Sequence, residues 1–381
     1  MIKNNIMYWI NQRWRVLDKP MLWILTGLTC IGMLNMWSAT SGNPDKFFDQ
    51  LRNFFLAFMV MWTLAHIPPQ TFMRFAIPAY LIGVLLLIAV ALFGDISKGS
   101  RRWLNLGITK IQPSEISKIA VPLMLAWYFS KHESMLRIRD FFIAGILLLI
   151  PFLLIARQPD LGTALLVGSA GFFIIYFAGL SFKLLIPIVV IGVVGITNLY
   201  VFEADICQKH IKWPLLHNYQ KGRVCTLLDP TLDPLGKGFH TIQSTIAIGS
   251  GGIFGKGFMR GTQAQLEFIP ERSTDFAYAV FAEEWGFIGG LTLIALYIAL
   301  LFRGLLIATH SPTLFTRLLS GSLTLIIFIY ATVNMGMVIG ILPVVGVPMP
   351  FVSYGGTALL TIGVACGMLM SVQRHRSLVQ N

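Results

Sequence analysis

The stretch IPERSTDFAYAVFAEEWG, Ile269 to Gly286, holds four acidic residues in a chain that has only 17. Asp275 stands at the mouth of an apolar helix, behind Ser273 and Thr274. Two roles fit these residues. Ser, Thr and Asp are favoured helix N-caps, and a cap accounts for one of the three. A carboxylate at a water–apolar boundary, under a glycine-rich lid, also suits a general base, because partial desolvation raises its pKa toward a useful range. Glu283 and Glu284 follow at about 12 and 13 Å along the helix axis, further inside. Adjacent helical residues point about 100° apart, so the two cannot face one partner. They read as structural acids lining a polar interior.

QPSEISK sets Glu115 and Lys118 three residues apart, on one helix face. In water such a pair merely steadies a helix. In a membrane it is expensive, which favours a functional role. RQPDLGTA brings Arg157 and Asp160 to a tight turn, and GSRRW adds Arg101 and Arg102 on the same side. With Lys118, these basic groups are suited to a pyrophosphate, through charge-assisted hydrogen bonds. GSGGIFGKGF is not a phosphate loop of the Walker type, since Gly257 and not Ser or Thr follows Lys256. No His/Cys cluster has zinc-ligand spacing. Cys30 and Cys366 lie in apolar runs. Cys207 and Cys225 fall in one polar stretch, where they form either a disulfide or two free thiols.

The elements that carry these residues are apolar. Of the 381 residues 55% are hydrophobic and 12% charged, against about 25% charged in soluble domains. The expected fold is therefore an all-α polytopic membrane protein. Apolar runs place spans between Lys19 and Asp45, from Phe54 to Ile67, from Phe75 to Gly94 and from about Pro113 to Phe129. Three more lie between Asp140 and Arg157, Asp160 and Lys183, and Lys183 and Glu203. An eighth runs from Phe276 to near Phe302. The charge-free stretch Leu318 to Gln373 is too long for one crossing, and LPVVGVPMPFVSYGG splits it in two, with an outer hairpin at about 343–356. The total is about ten transmembrane helices in a single membrane domain, 1–381. Lys3, Arg13, Arg15 and Lys19 before the first span favour an N-in, C-in orientation. The N-terminus lacks the pattern of a removable signal, so the first span reads as an anchor. One large extracytoplasmic loop, about 203–275, contains an irregular segment from Glu203 to Gly238 and a short helix over FHTIQSTIAIGS. A net charge of +12 suits anionic lipids or an anionic substrate. No basic–aromatic array points to nucleic acid.

In order along the chain, GSRRWLNLG, QPSEISKIAVPL, RQPDLGTALLV, LLDPTLDPLGKGFHTIQSTIAIGSGGIFGKG, GTQAQLEFIPERSTDFAYAVFAEEWG and NMGMVIGILPVVGVPMPFVSYGG resemble the signatures of the SEDS family (shape, elongation, division and sporulation). ISKGSRRWLNLG and GTQAQLEF are similar to its rod-shape elongation branch rather than its division branch. The resemblance implies a peptidoglycan glycosyltransferase of the bacterial cytoplasmic membrane, which polymerises lipid II with its active site facing outward. It implies a class B penicillin-binding transpeptidase as partner, with other membrane proteins of the elongation complex. The family's essential carboxylate falls on Asp275, and its sensitive Glu, Lys and Asp fall on Glu115, Lys118 and Asp160. Ser273 stands where many relatives have His, and the segment from Cys207 to His217 is longer than usual.

The implied reaction is an inverting transfer with Asp275 as base and undecaprenyl pyrophosphate as leaving group. The leaving charge falls to cationic groups, Lys118, Arg101 and Arg272 first, or to a divalent ion such as Mg or Mn. No other cofactor is implied. Two rival readings remain open: a lipid II flippase, and a scaffold that activates a transpeptidase.

Overall fold

The computed structural model describes residues 17–97, 100–105, 110–133, 136–201, 207, 218–229, 238–266, 268–269 and 271–376. Helices dominate. In chain order they are α1 (Lys19–Ala39), α2 (Pro44–His66), α3 (Pro69–Phe93), α4 (Pro113–Lys131), α5 (Ile138–Arg157), α6 (Leu161–Phe177), α7 (Phe182–Val201), α8 (Asn218–Leu228), α9 (Phe239–Gly251), α10 (Thr262–Gln265), α11 (Ala277–Thr309), α12 (Leu314–Ile339) and α13 (Gly356–Arg376). Among the described residues, the ten helices of 17 residues or more fall on the ten apolar runs. Six of them, α1, α3, α5, α11, α12 and α13, are long and apolar enough to cross a membrane by length and composition. The protein is an all-α polytopic membrane protein. The basic residues Lys3, Arg13 and Arg15 lie outside the described residues, as do positions 208–217 and 230–237 of the outer loop.

Local chemistry sets the helix ends. Asp18 caps α1 through Oδ1, which accepts from the Met21 N–H at 2.9 Å, and Asp160 caps α6 by accepting from the Thr163 N–H at 3.3 Å. Asn43 accepts from the N–H groups of Asp45 and Lys46 ahead of Pro44, so α2 begins ten residues before the apolar run at Phe54. Its charged first turns stay at the surface, where Arg52 and Asp49 pair at 3.0 Å. Asp18 also receives the guanidinium of Arg303, Nε to Oδ1 at 2.9 Å, which joins the start of α1 to the far end of α11. Of the six long apolar helices, α12 and α13 are the most enclosed, and α3 and α5 turn most of their apolar surface outward.

Three expectations need correction. Between α3 and α4, where no regular element was expected, lies an antiparallel sheet of β1 (Asp95–Ser97), β2 (Ser100–Asn105) and β3 (Lys110–Ile111), in the order β1-β2-β3, with Ile96 opposite Arg101 and Leu104 opposite Ile111. The segment from Glu203 to Gly238 is not irregular throughout, since it contains α8. Its residues NYQKGRVCTLL lack the apolar periodicity that marks the other helices.

The third correction concerns depth. α11 is broken at Gly286, whose φ of 63° and ψ of −161° are open only to glycine. Below the break, α11 runs antiparallel to α1, with Leu296 beside Gly27 and Arg303 on Asp18. Above it, the Asn35 amide reaches the Ala277 carbonyl while the Ser38 hydroxyl bonds to the Glu284 carboxylate. Those two α1 residues are only about 4.5 Å apart along their axis, but Ala277 and Glu284 are about 10 Å apart along theirs. A continued antiparallel helix would carry Glu284 far below Ser38. The piece Ala277–Trp285 therefore crosses the C-terminal end of α1 instead of descending beside it. Glu284 sits at that end of α1, on Ser38, and not deep in the bundle.

Candidate active site

Asp275 closes a turn formed by residues 271–276. Phe276, not Asp275, is the N-cap residue of α11, and no side chain caps it. The capping role considered for Asp275 is therefore not what the fold uses. The residue is half-buried, and its carboxylate lies over Gly346, where a Cβ would come within 3.4 Å of Oδ2. Gly346 has a φ of 71°, a left-handed backbone that favours glycine in the turn beneath the carboxylate. The Asn334 amide donates to the Asp275 carbonyl at 2.8 Å and to the Val347 carbonyl at 2.7 Å. The Tyr354 N–H donates to the Ser273 carbonyl at 2.8 Å, which docks the turn on the Pro-rich segment.

The same segment meets the second group of candidates on its other side. A Cβ on Gly162 would lie 2.8 Å from the Val345 carbonyl oxygen and 2.7 Å from a Val347 methyl. Gly162 is two residues past Asp160. The Asp160 carboxylate accepts from Gln112 Nε2 at 3.1 Å and faces the Arg102 guanidinium at 3.9 Å. Arg102 also donates to the Pro159 carbonyl at 2.5 Å. The side chain of Arg101 lies outside the described residues.

Deeper in the bundle, Lys118 is sealed at 2% exposure. Its Nζ donates to Glu115 Oε1 at 2.5 Å and to the Tyr330 hydroxyl, and sits 4.8 Å from the centre of the Tyr330 ring. Thr361 Oγ1 donates to the other Glu115 oxygen at 3.0 Å. One ammonium thus ties α4 to α12, and its carboxylate partner ties α4 to α13. Glu115, Lys118, Asp160 and Arg102 form one side of the site and Asp275 the other, joined through Val345–Val347.

Arg272 is the exception among the basic candidates. Its guanidinium turns to the Ala264 carbonyl, with Ser41 Oγ at 3.4 Å, so it braces the loop ahead of Asp275. His240, at the start of α9, stacks on Phe276 with ring centres 5.7 Å apart. Burial holds its pKa below 6.5, and the nearby Glu271 charge opposes that shift. Cys207 and Cys225 are bonded to one another, with Cα atoms 5.7 Å apart.

Glu283 and Glu284 fasten the glycine-rich loop. Glu283 Oε1 accepts from Lys256 Nζ at 2.6 Å, Thr262 Oγ1 at 3.1 Å and the Gln263 N–H at 3.1 Å. The break at Gly286 leaves backbone groups without helical partners, and the loop supplies them. Lys256 and Gly257 N–H groups donate to the Glu283 and Glu284 carbonyls at 3.0 Å, and the Phe287 N–H donates to the Gly252 carbonyl at 2.9 Å.

Tyr330, Thr361, Gln112, Asn334 and Gly346 were not singled out by sequence reasoning. A signal existed for two of them: Tyr330 and Asn334 are polar-bearing residues in the charge-free run of α12. No group of three or more His, Cys, Asp or Glu residues placed to hold a metal occurs among the described residues.

The pattern of the cell cycle protein family of FtsW, RodA and SpoVE matches residues 19–378. The peptidoglycan glycosyltransferase MrdB of Escherichia coli K12 is 47% identical over 363 residues, 95% of each chain. A chain from a structure of a peptidoglycan synthase complex, solved for its coordination of polymerization and crosslinking, superposes with a TM-score of 0.77 at 31% identity, covering 94% of this chain and 98% of that one. The rod shape determining protein RodA of Thermus thermophilus superposes with a TM-score of 0.69 at 26% identity, covering 94% and 97%. With the matched motifs lining one two-sided site, the chain belongs to the FtsW/RodA/SpoVE family of cell cycle proteins.

Proposed function

We propose that this chain is a peptidoglycan glycosyltransferase that polymerises lipid II at the outer face of the bacterial cytoplasmic membrane, with Asp275 as general base. Relatives bearing the enzyme's name match it over nearly its whole length. One observation carries the assignment to this site. The Asp275 carboxylate is seated on Gly346, in a turn whose other side packs on Gly162 next to the Asp160–Arg102 pair. A half-buried acid and a basic rim therefore flank the same three residues.

In this reading the 4-hydroxyl oxygen of an incoming GlcNAc attacks C1 of the growing chain's terminal MurNAc. The bond from C1 to the diphosphate oxygen breaks with inversion, and undecaprenyl pyrophosphate leaves with the electron pair. Asp275 takes the hydroxyl proton, a contribution of about 10²–10⁴-fold for a positioned base. The leaving group needs no strong acid. Its charge is met at the rim by Arg102. Lys118, enclosed by Glu115 and Tyr330, acts by fixing α4 against α12 and α13, and Arg272 by bracing the loop.

The proposed topology is a single membrane domain of ten crossings with both termini in the cytoplasm. The Asp18–Arg303 pair supports it by putting the start of α1 and the end of α11 on one side. The proposed partner is a class B penicillin-binding transpeptidase, alongside other membrane proteins of the elongation complex.

The test uses purified protein, a class B transpeptidase and labelled lipid II in detergent, where sidedness does not exist. Glycan polymer is expected from wild type and its loss from Asp275→Ala. No polymer from wild type would leave the flippase as the better reading. Polymer from Asp275→Ala at the wild-type rate would remove the base assignment. A scaffold alone predicts that Asp275→Asn, with the complex intact, still supports growth.

A further inference from the structure

Two buried asparagines grip the backbone at Asp275 and two residues beyond it. Asn334 of α12 is 0% exposed and Asn35 of α1 is 1% exposed. Asn334 Nδ2 donates to the Asp275 carbonyl at 2.8 Å, and Asn35 Nδ2 donates to the Ala277 carbonyl at 3.0 Å. They approach from different helices, α12 and α1, and seize carbonyls two residues apart. Asn334 makes a second bond, to the Val347 carbonyl at 2.7 Å. One amide thus binds both the residue that bears the carboxylate and the neighbour of Gly346, on which that carboxylate rests.

Each asparagine leaves its Oδ1 buried without a hydrogen-bond partner. The orientation is fixed by chemistry, since a flipped amide would set oxygen against carbonyl oxygen. An unpartnered buried acceptor costs free energy, and an apolar side chain of the same shape would avoid that cost. Packing alone therefore does not explain two such residues around one turn. What both supply is a donor aimed at the backbone where the 271–276 turn passes into α11, Asn334 at Asp275 in the turn and Asn35 at Ala277, the first residue of the helix.

We propose that Asn334, assisted by Asn35, is a positioning residue for the Asp275 carboxylate, holding it in register with the Val345–Val347 turn. This inference rests on the reading of Asp275 as the base. Neither asparagine touches the reacting atoms, so its loss acts through the placement of Asp275. A misplacement of about 1 Å in a catalytic group is enough to cost about 10²-fold in rate.

The experiment measures kcat and KM for lipid II polymerisation, with the transpeptidase present, alongside the thermal midpoint and folded fraction of each preparation. Asn334→Leu is expected to lower kcat by about 10–100-fold with KM within about twofold of wild type. Asn334→Ser, which keeps one short donor, is expected to fall between the two at equal folded fraction, and it serves if the leucine variant does not fold. Asn35→Leu is expected to lower kcat less than Asn334→Leu, having one bond to lose. On an Asp275→Asn background, Asn334→Leu is expected to add no further loss of rate. A folded Asn334→Leu or Asn334→Ser with wild-type kcat overturns the proposal, as does an activity loss that only follows the folded fraction. If Asp275→Asn itself polymerises at the wild-type rate, the base assignment fails. If it is dead while folded Asn334→Leu retains full kcat, the positioning role alone fails.

Discussion

Lys256 of the glycine-rich loop places its ammonium 2.6 Å from the Glu283 carboxylate, and Glu283 is 0% exposed while Lys256 keeps an edge in solvent. The pair is the side-chain half of a joint whose backbone half is the set of loop amides bonded to the broken turn of α11. Removing only the cation leaves a buried carboxylate with weaker compensation. Lys256→Met is expected to destabilise the protein by about 3–5 kcal/mol, and a Lys256→Met/Glu283→Leu pair to recover much of that. Thermal denaturation of the purified protein with single and double variants checks it. Equal midpoints for Lys256→Met and wild type would show that the backbone bonds alone hold the loop.

The Lys118 cluster makes a different demand, because its four members, Lys118, Glu115, Tyr330 and Thr361, come from α4, α12 and α13. Tyr330→Phe removes one acceptor and keeps the ring over the ammonium, so a loss of about 1–3 kcal/mol is expected. Lys118→Met strands the Glu115 carboxylate and is expected to cost about 3–5 kcal/mol, with Glu115→Gln/Lys118→Met intermediate. A double-mutant cycle on thermal midpoints measures the coupling. Additive effects would count against the contacts described.

His240 predicts a pH dependence of stability. Burial against Phe276 holds its folded pKa below 6.5, and the facing Glu271 carboxylate limits the shift. Below pH 6.5 the unfolded chain takes up a proton that the folded chain refuses, so stability falls with pH down to the folded pKa. Above pH 6.5 this contribution is fully present. His240→Phe is expected to flatten the midpoint-versus-pH curve on the acid side of 6.5. A curve with unchanged slope would assign the acid loss to other groups.

How much of this could be read in the sequence depended on the range of the interaction. The long helices were legible because apolar run length is local information, and Asp275, Glu115, Lys118 and Asp160 stood out as charges in apolar surroundings. α8 was not, since NYQKGRVCTLL has no apolar face. The sheet that carries Arg102 was missed because its strands are short and two of its residues, Arg101 and Arg102, read simply as charge. Arg272 looked like a phosphate ligand because a side chain's direction is not written in its type. Tyr330 reaches Lys118 across 212 positions and Asn35 reaches Ala277 across 242, separations over which no spacing rule operates. The depth of Glu283 and Glu284 was misread for one reason. In AEEWGFIGG, nothing distinguishes the glycine that breaks the helix from the two that do not.

That break also settles how the enzyme meets its bilayer. From Phe287 to Thr309 the helix is about 34 Å long, enough for a hydrocarbon core of about 30 Å without the nine residues before Gly286. The segment that follows the Asp275 turn is thus surplus to the crossing. Hydrophobic mismatch is ordinarily absorbed by helix tilt. Here the lower segment is fixed to α1 through Arg303 on Asp18 and packs Gly304 against Thr324 of α12. Ala277–Trp285 is tied to α1, α9 and the glycine-rich loop, so mismatch falls on the bundle as a whole. Polymerisation measured in lipids of different chain length should therefore change little over a few ångströms of hydrocarbon thickness.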